Sequence, residues 1–199
     1  MANLEHLNRR NVLGLAVGSL AGATLLSACA LAPSAASAGS SPTSLYLSIV
    51  TGRMIGKKGW PAYVPDAVTL PAHSTIAVRI VQFDDGTAAL PAGSPFATVS
   101  GVVGGSVTVQ PLTAADPNKA GPATTYQELA PKDVAHTFTL GALKVNVPLP
   151  VSSIVSFSFQ TGKPGTYTWQ CMAPCGDEPQ GYGGAMARPG YMIGKIQVV

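Results

Sequence analysis

Apolar and polar residues alternate with a period of two along most of the chain beyond residue 43, and that pattern decides the fold class. Residues 44–50 (SLYLSIV) alternate, and residues 75–83 (TIAVRIVQF) do so again with Ile76, Val78 and Ile80 on one face. Residues 107–109, 134–140, 152–160 (SSIVSFSFQ), 165–171 and 194–199 read as further strands. Successive side chains of a strand point to opposite faces, so each such run buries one face and wets the other. No segment carries a sustained apolar period of 3.6 residues with caps, which argues against helices. The chain holds 22 Gly and 17 Pro, a composition suited to short strands joined by turns. The expectation is one all-β domain over residues 44–199, a sandwich or a barrel. Residues 84–131, rich in Gly, Pro, Ala and Thr, are expected to be loops around one or two edge strands.

The first residues read as an export address rather than as part of that fold. Arg9 and Arg10 form a positive n-region, and residues 12–26 are an apolar run of signal-sequence length. That run is shorter than the roughly 20 residues of a membrane-spanning helix. Leu26-Ser27-Ala28-Cys29 follows directly and resembles the bacterial lipobox, whose cysteine is lipidated and becomes the mature N-terminus. The resemblance implies a signal peptide over residues 1–28 and a membrane anchor on Cys29, which places the protein on the extracytoplasmic side of the cell membrane. The alternative is a plain secretory signal cleaved near Ala36 or Ala38. Arg9 and Arg10 suit twin-arginine export as well as the general route. Residues 29–43 (CALAPSAASAGSSPT) supply the lipidated cysteine and a flexible small-residue linker. The chain carries 12 Lys/Arg and 9 Asp/Glu; Arg9, Arg10 and Glu5 lie in the first 28 residues, so the mature chain keeps ten and eight. A balance so near neutral predicts no nucleic-acid partner.

Three histidines and three cysteines bound the chemistry. His6 leaves with the signal and Cys29 is taken by the lipid, so His73, His136, Cys171 and Cys175 remain. In residues 133–140 (DVAHTFTL), Val134, His136, Phe138 and Leu140 share a face, which points the imidazole into the core. There it is either a core histidine bonded to a backbone carbonyl or a metal ligand. In residues 165–171 (GTYTWQC), Tyr167, Trp169 and Cys171 share the inner face, and Cys175 follows in the loop. In the last strand Lys195 and Gln197 face water, so Met192, Gly194, Ile196 and Val198 face inward. Parity fixes the face and not the distance. Imidazole, thiolate and a weak thioether are the donor types of a copper electron-transfer site, and zinc accepts similar donors. The competing reading is a Cys171–Cys175 disulfide, an even pair in an oxidising compartment. No Ser/His/Asp signature, paired carboxylates or phosphate loop marks an enzyme, so a redox carrier is expected rather than a catalyst with its own substrate.

The Ala-His-Thr-Phe context of His136, the Tyr-x-Trp-x-Cys strand and a loop ending in Tyr191-Met192 before a final strand together resemble the cupredoxin family. The resemblance covers roughly residues 45–199 and is most specific over 134–199; it implies a Greek-key β-sandwich that holds copper. The run from Cys171 to Cys175 and Gly176 resembles the subdomain that holds the dinuclear copper of cytochrome oxidase subunit II. Residues 68–75 (VTLPAHST) match the family's first β-turn, which makes His73 a turn residue. One departure matters. The family uses a second histidine in the loop after the cysteine, whereas residues 176–191 (GDEPQGYGGAMARPGY) contain none, and the expected position falls near Pro189. The resemblance therefore implies a half-site of His136, Cys171, Cys175 and Met192 around one copper ion, with Met186 a spare thioether. A membrane-tethered electron carrier facing a membrane-bound respiratory partner is the function so implied. Cu(I) delivery and a metal-free binding domain are the alternatives. Residues 53–61 (RMIGKKGWP) form a basic loop with Trp60, either an ordinary solvated loop or a docking surface for an acidic partner or lipid headgroups.

Overall fold

A computed structural model describes residues 43–113 and 116–199. The signal sequence, Cys29 and the linker up to residue 42 lie outside the described residues. In chain order the strands are β1 (Thr43–Val50), β2 (Ala62–Val64), β3 (Ala67–Leu70), β4 (Thr75–Gln82), β5 (Val107–Thr113), β6 (Asp116–Ala120), β7 (Thr124–Tyr126), β8 (Val134–Leu140), β9 (Val145–Pro150), β10 (Ser153–Gln160), β11 (Gly165–Gln170) and β12 (Ile193–Val198). The described residues contain short 3₁₀ turns but no α-helix, and none of their helices is long and apolar enough to cross a membrane.

The strands form two sheets. One runs β2-β1-β4-β10-β5-β6, with β7 also paired to β5; the other runs β3-β12-β11-β8-β9. Pairing is antiparallel except for β1 with β4 and β3 with β12. The inner faces are those that alternation predicts. Leu45, Leu47 and Ile49 of β1, Ile76, Val78 and Ile80 of β4, and Ile196 and Val198 of β12 are all buried in one apolar cluster. Its centre is aromatic. Trp169 lies 5.8 Å from Tyr63 and 5.9 Å from Phe138, centroid to centroid. Truncating such a ring typically costs about 3–5 kcal/mol.

All seven expected strands are present, and the all-β sandwich is the observed architecture. Two differences from the sequence reading have physical reasons. β5 is not an edge strand: it is paired with β10 on one side and with β6 and β7 on the other. Its apolar face is short, and Pro111 lies within it. β9 carries Pro148 and Pro150, which disguise a strand whose Val145, Val147 and Leu149 are buried. Proline lacks the N–H of a ladder bond, and β9 stands at the sheet edge where that loss is tolerated.

Gly194 sets the closest approach in the core. A Cβ at this position would lie 2.1 Å from Cζ2 of Trp169 and 2.7 Å from the Asp66 carbonyl oxygen. Neither the buried indole nor the backbone of β12's neighbour can retreat without opening the sheet. Gly194→Ala should therefore destabilise the domain by about 1–3 kcal/mol, the range for overpacking, read as a lower urea midpoint at unchanged slope. An unchanged midpoint would show that the indole repacks freely.

Candidate metal centre

The site lies at one end of the second sheet, where β8, β11 and β12 are neighbours. Gln170 of β11 pairs with Thr139 of β8 and with Ile193 of β12. One residue further on, the Cys171 N–H donates to the Met192 carbonyl at 3.0 Å. This pairing carries Cys171 to the side of β8 that holds His136. The register of β8 against β9 shifts between Val134 and His136, and such bulges re-aim side chains at sheet ends.

His136 is 1% exposed and Cys171 0%. The Cys171 Sγ lies 3.9 Å from Nδ1 of His136 and 3.4 Å from Sγ of Cys175. The donor atoms of these three residues all fall within 4.8 Å of one another, and no other group of three ligand-type His, Cys, Asp or Glu side chains is so placed among the described residues. Cysteines 171 and 175 are free thiols. The Thr137 N–H donates to Cys171 Sγ at 3.3 Å. Cys175 Sγ also sits 3.2 Å from the thioether sulfur of Met186.

Asp84, just past the end of β4, holds the other side of the imidazole. Its Oδ2 lies 3.1 Å from Nε2 of His136, and its Oδ1 accepts the Gly86 N–H. So the partner of His136 is a carboxylate rather than a backbone carbonyl. A proton fixed on Nε2 leaves Nδ1 turned to the sulfurs, as a carboxylate partner commonly arranges for metal-binding histidines. Nothing in the sequence placed Asp84 here: it opens the stretch of least legible patterning, and no periodicity links it to residue 136.

The charges follow from these contacts. Burial alone would pull His136 down, but the Asp84 carboxylate and the Cys171 sulfur more than offset it, and its pKa is pushed up to about 9. Burial would raise Asp84, yet His136 and the Gly86 amide bring it below the usual carboxylate value. Burial would likewise raise Cys171; the bond from Cys175, the imidazolium and the Thr137 amide hold it well below an ordinary thiol. Cys175, beside that thiolate and itself desolvated, is pushed well above. The arrangement is carboxylate, imidazolium, thiolate and protonated thiol in sequence.

The glycine-rich loop covers the site. Gly176 donates to the Gly181 carbonyl, and Asp177 and Gly183 exchange backbone bonds, which folds the loop into a small hairpin. A Cβ on Gly176 would meet the Gly183 oxygen at 2.2 Å, so the close approach requires glycine. The 3₁₀ turn Gly184–Ala187 then drops Met186 into the core. Met192 is fully buried at the head of β12, with its backbone bonded to Cys171 and Ala185. The thioether in contact with the thiols is that of Met186. Pro189 is exposed, and His73 occupies a left-handed turn, φ 49°, between β3 and β4. Trp60 of the basic loop is half-buried; its indole N–H donates to Asp177 at 2.6 Å, and its ring meets Tyr191 edge-on.

No protein-family model matches the chain, and no curated protein matches it. Among solved structures, auracyanin B is similar over 80% of this chain and 91% of its own, at 15% identity and a TM-score of 0.35. Auracyanin A of Chloroflexus aurantiacus, a "blue" copper protein, is similar over 80% of this chain and 100% of its own, at 14% identity and a TM-score of 0.35. The copper-containing nitrite reductase of Thermus scotoductus is similar over 80% of this chain and 31% of its own, at 13% identity and a TM-score of 0.39. At these identities and TM-scores the likenesses carry no argument about the site, whose reading rests on its own geometry.

The charge assignment has a direct readout. Ultraviolet thiolate absorption of the metal-free domain should rise in two separate steps, Cys171 below the ordinary thiol pKa of about 8.5 and Cys175 above it. The early step should vanish in Cys171→Ser. It should move upward in His136→Gln, because removing the positive imidazolium removes what favours the thiolate. One two-proton step near the ordinary value would contradict the assignment.

Proposed function

We propose that this chain is an exported, lipid-anchored copper protein that carries single electrons at the outer face of the cell membrane to or from a membrane-bound respiratory partner. The observation that carries this reading is the convergence of the His136 Nδ1 with the Cys171 and Cys175 sulfurs inside a β-sandwich core. The donor set fits a metal ion. Bonds of about 2.3 Å to sulfur and about 2.0 Å to nitrogen span at most about 4.3 Å between nitrogen and sulfur and about 4.6 Å between two sulfurs. The two Cys171 separations, 3.9 and 3.4 Å, lie inside those limits, and with all three donors within 4.8 Å of one another a small shift of Cys175 would close the set on one ion. Imidazole with soft sulfur is copper's preferred company. His136, Cys171 and Cys175 would hold the ion, with a thioether from Met186, supported by its contact with Cys175, or from Met192, supported by its place beside Cys171.

Copper bound there supplies a one-electron couple. The chain's own part is to fix the donors and exclude water. Asp84 orients the imidazole, the Thr137 amide withdraws charge from the Cys171 sulfur, and the apolar core keeps the dielectric low. Export and anchoring rest on Arg9, Arg10, the apolar run and Cys29; Cys29→Ser should move the protein from the membrane fraction to the soluble one, and retention at the membrane would refute the lipid anchor. Copper delivery is the second reading. Its support is the excess of sulfur, two cysteines and a thioether against one imidazole, which favours Cu(I).

Adding Cu(II) to the purified domain should produce intense visible absorption from thiolate to copper, absent in Cys171→Ser. Asp84→Asn should retain the band and weaken copper affinity about 10–100-fold, the usual cost of losing the carboxylate that orients a ligating imidazole. Binding of Cu(I) without a stable Cu(II) form would select delivery. No copper retained, with both thiols oxidised on isolation, would overturn both copper readings.

A further inference from the structure

The loop between β1 and β2, residues 51–61, presents an apolar tip to solvent. Met54 is 58% exposed and Ile55 42%, and among the described residues they are the only large exposed hydrophobic side chains adjacent in sequence. The loop is held in shape by its own backbone. The Lys57 N–H donates to the Gly52 carbonyl at 2.7 Å, that of Met54 to Thr51 and that of Trp60 to Lys57. A preformed loop loses little conformational freedom when it binds.

Cations flank the apolar pair on both sides. Arg53, Lys57 and Lys58 are exposed, residues 51–61 contain no carboxylate, and none of the three cations is in an ion pair among the described residues. The acids on this side face the legs of the loop rather than its tip. Asp84 and Asp85 share a cleft with Arg53 and Lys58, and Met54, Ile55 and Lys57 do not line it. Asp84 is bonded to His136, and Asp177 accepts the Trp60 indole N–H. Trp60 lies under the Lys57 ammonium. A bilayer interface answers each of these features: the acyl boundary takes Met54 and Ile55, anionic headgroups take the cations, and a half-buried indole suits the headgroup level. A merely acidic partner answers the cations and leaves the apolar pair in water.

We propose that this loop docks the domain on an anionic phospholipid surface, with Met54 and Ile55 inserted among the headgroups. On the lipid-anchor reading above, residues 30–42 join Cys29 to Thr43 and reach at most about 45 Å. The loop begins one strand length, about 26 Å, beyond Thr43, so it can meet the membrane that holds the anchor. Its legs line the cleft at Cys175, and docking therefore keeps the cluster end of the sandwich at the lipid surface. The inference rests on the export reading and not on the metal.

The test uses the mature chain, residues 29–199, carrying Cys29→Ser so that no lipid is attached. It is sedimented with vesicles of phosphatidylcholine alone and with vesicles that also contain phosphatidylglycerol. Binding to the second kind, weakening as salt rises, is the expected result. Met54→Ser with Ile55→Ser should weaken it at least about tenfold and keep the salt dependence. Lys57→Gln with Lys58→Gln should weaken it about fivefold per lysine and flatten the salt dependence. These four side chains are exposed, and an unchanged urea midpoint checks that each variant is folded. Binding to neither vesicle overturns the proposal, as does binding indifferent to the Met54 and Ile55 substitutions. Capture by polyglutamate in place of vesicles assigns the loop to an acidic protein and overturns the lipid surface. Release of the unaltered protein from the cell membrane would refute the anchor and leave the vesicle result standing.

Discussion

The position of β11 between β8 and β12 is the constraint on which the site depends. Parity gives each of the three strands an inward residue near its end, but only adjacency makes those residues neighbours. Gln170 is bonded into both flanking strands, and the ladder then continues by one bond, Cys171 to Met192. Trp169 stands two residues before Cys171, on the same face, and is locked against Tyr63, Phe138 and Gly194. The same packing that holds the sheets together thus sets where the sulfur points. A shift of one residue in β11 would turn Trp169 to the outer face and carry Cys171 away from His136.

Burying a thiolate has to be offset. Desolvation costs several kcal/mol per ion, whereas a unit charge about 4 Å away returns about 4 kcal/mol at an effective dielectric near 20. The imidazolium of His136 therefore favours an ionised Cys171, and Asp84 and the Cys171 sulfur together favour the imidazolium. The price of that chain is a residual negative charge, two anions against one cation. Cys175, whose sulfur lies 3.4 Å from that of Cys171 and 3.2 Å from that of Met186, keeps its proton beside that charge. A soft cation at the same place would answer it better, with polarizable sulfur on three sides. Burial, charge and ligand softness point to one chemistry.

The fold was legible because alternation is a local property. Ile76, Val78 and Ile80, or Ile196 and Val198, declare their face without any knowledge of partners, and His136, Cys171 and Met192 are indeed inward. What escaped was set by long-range contact. Asp84 reaches His136 across 52 positions of sequence. Met186 enters through a 3₁₀ turn whose burial has no periodic signature. The outer face of β8 was expected to be wet, yet Ala135 and Thr137 are fully buried. The Thr137 hydroxyl accepts the Met172 N–H from the chain just past Cys171, and the 84–131 stretch bonds to the start of β8, Ala88 to the Val134 carbonyl and Leu90 to that of Pro131. Segments that look like loops in sequence can pair with a strand, and nothing in their composition announces it.

The donors fall into two mechanical classes, and that division separates electron transfer from ion delivery. His136 and Cys171 belong to the sheet, where several backbone bonds would have to break before either moved. Cys175 and Met186 belong to the loop, which is anchored where Ala185 and Met186 enter the core. Its own hairpin bonds fix its shape, while Trp60 ties it down through Asp177 and Tyr191, with Lys57 stacked 3.5 Å over the indole. A cation over an exposed ring contributes about 0.5–1 kcal/mol, and a charged hydrogen bond about 1.5–3 kcal/mol. These contacts add on the order of a few kcal/mol to what the burial of Ala185 and Met186 already supplies in holding the loop. On the copper reading proposed above, electron transfer would need the loop donors Cys175 and Met186 to stay in place, whereas delivery would need them to leave while His136 and Cys171 remain on the sheet; the buried Met186 side chain weighs toward the first.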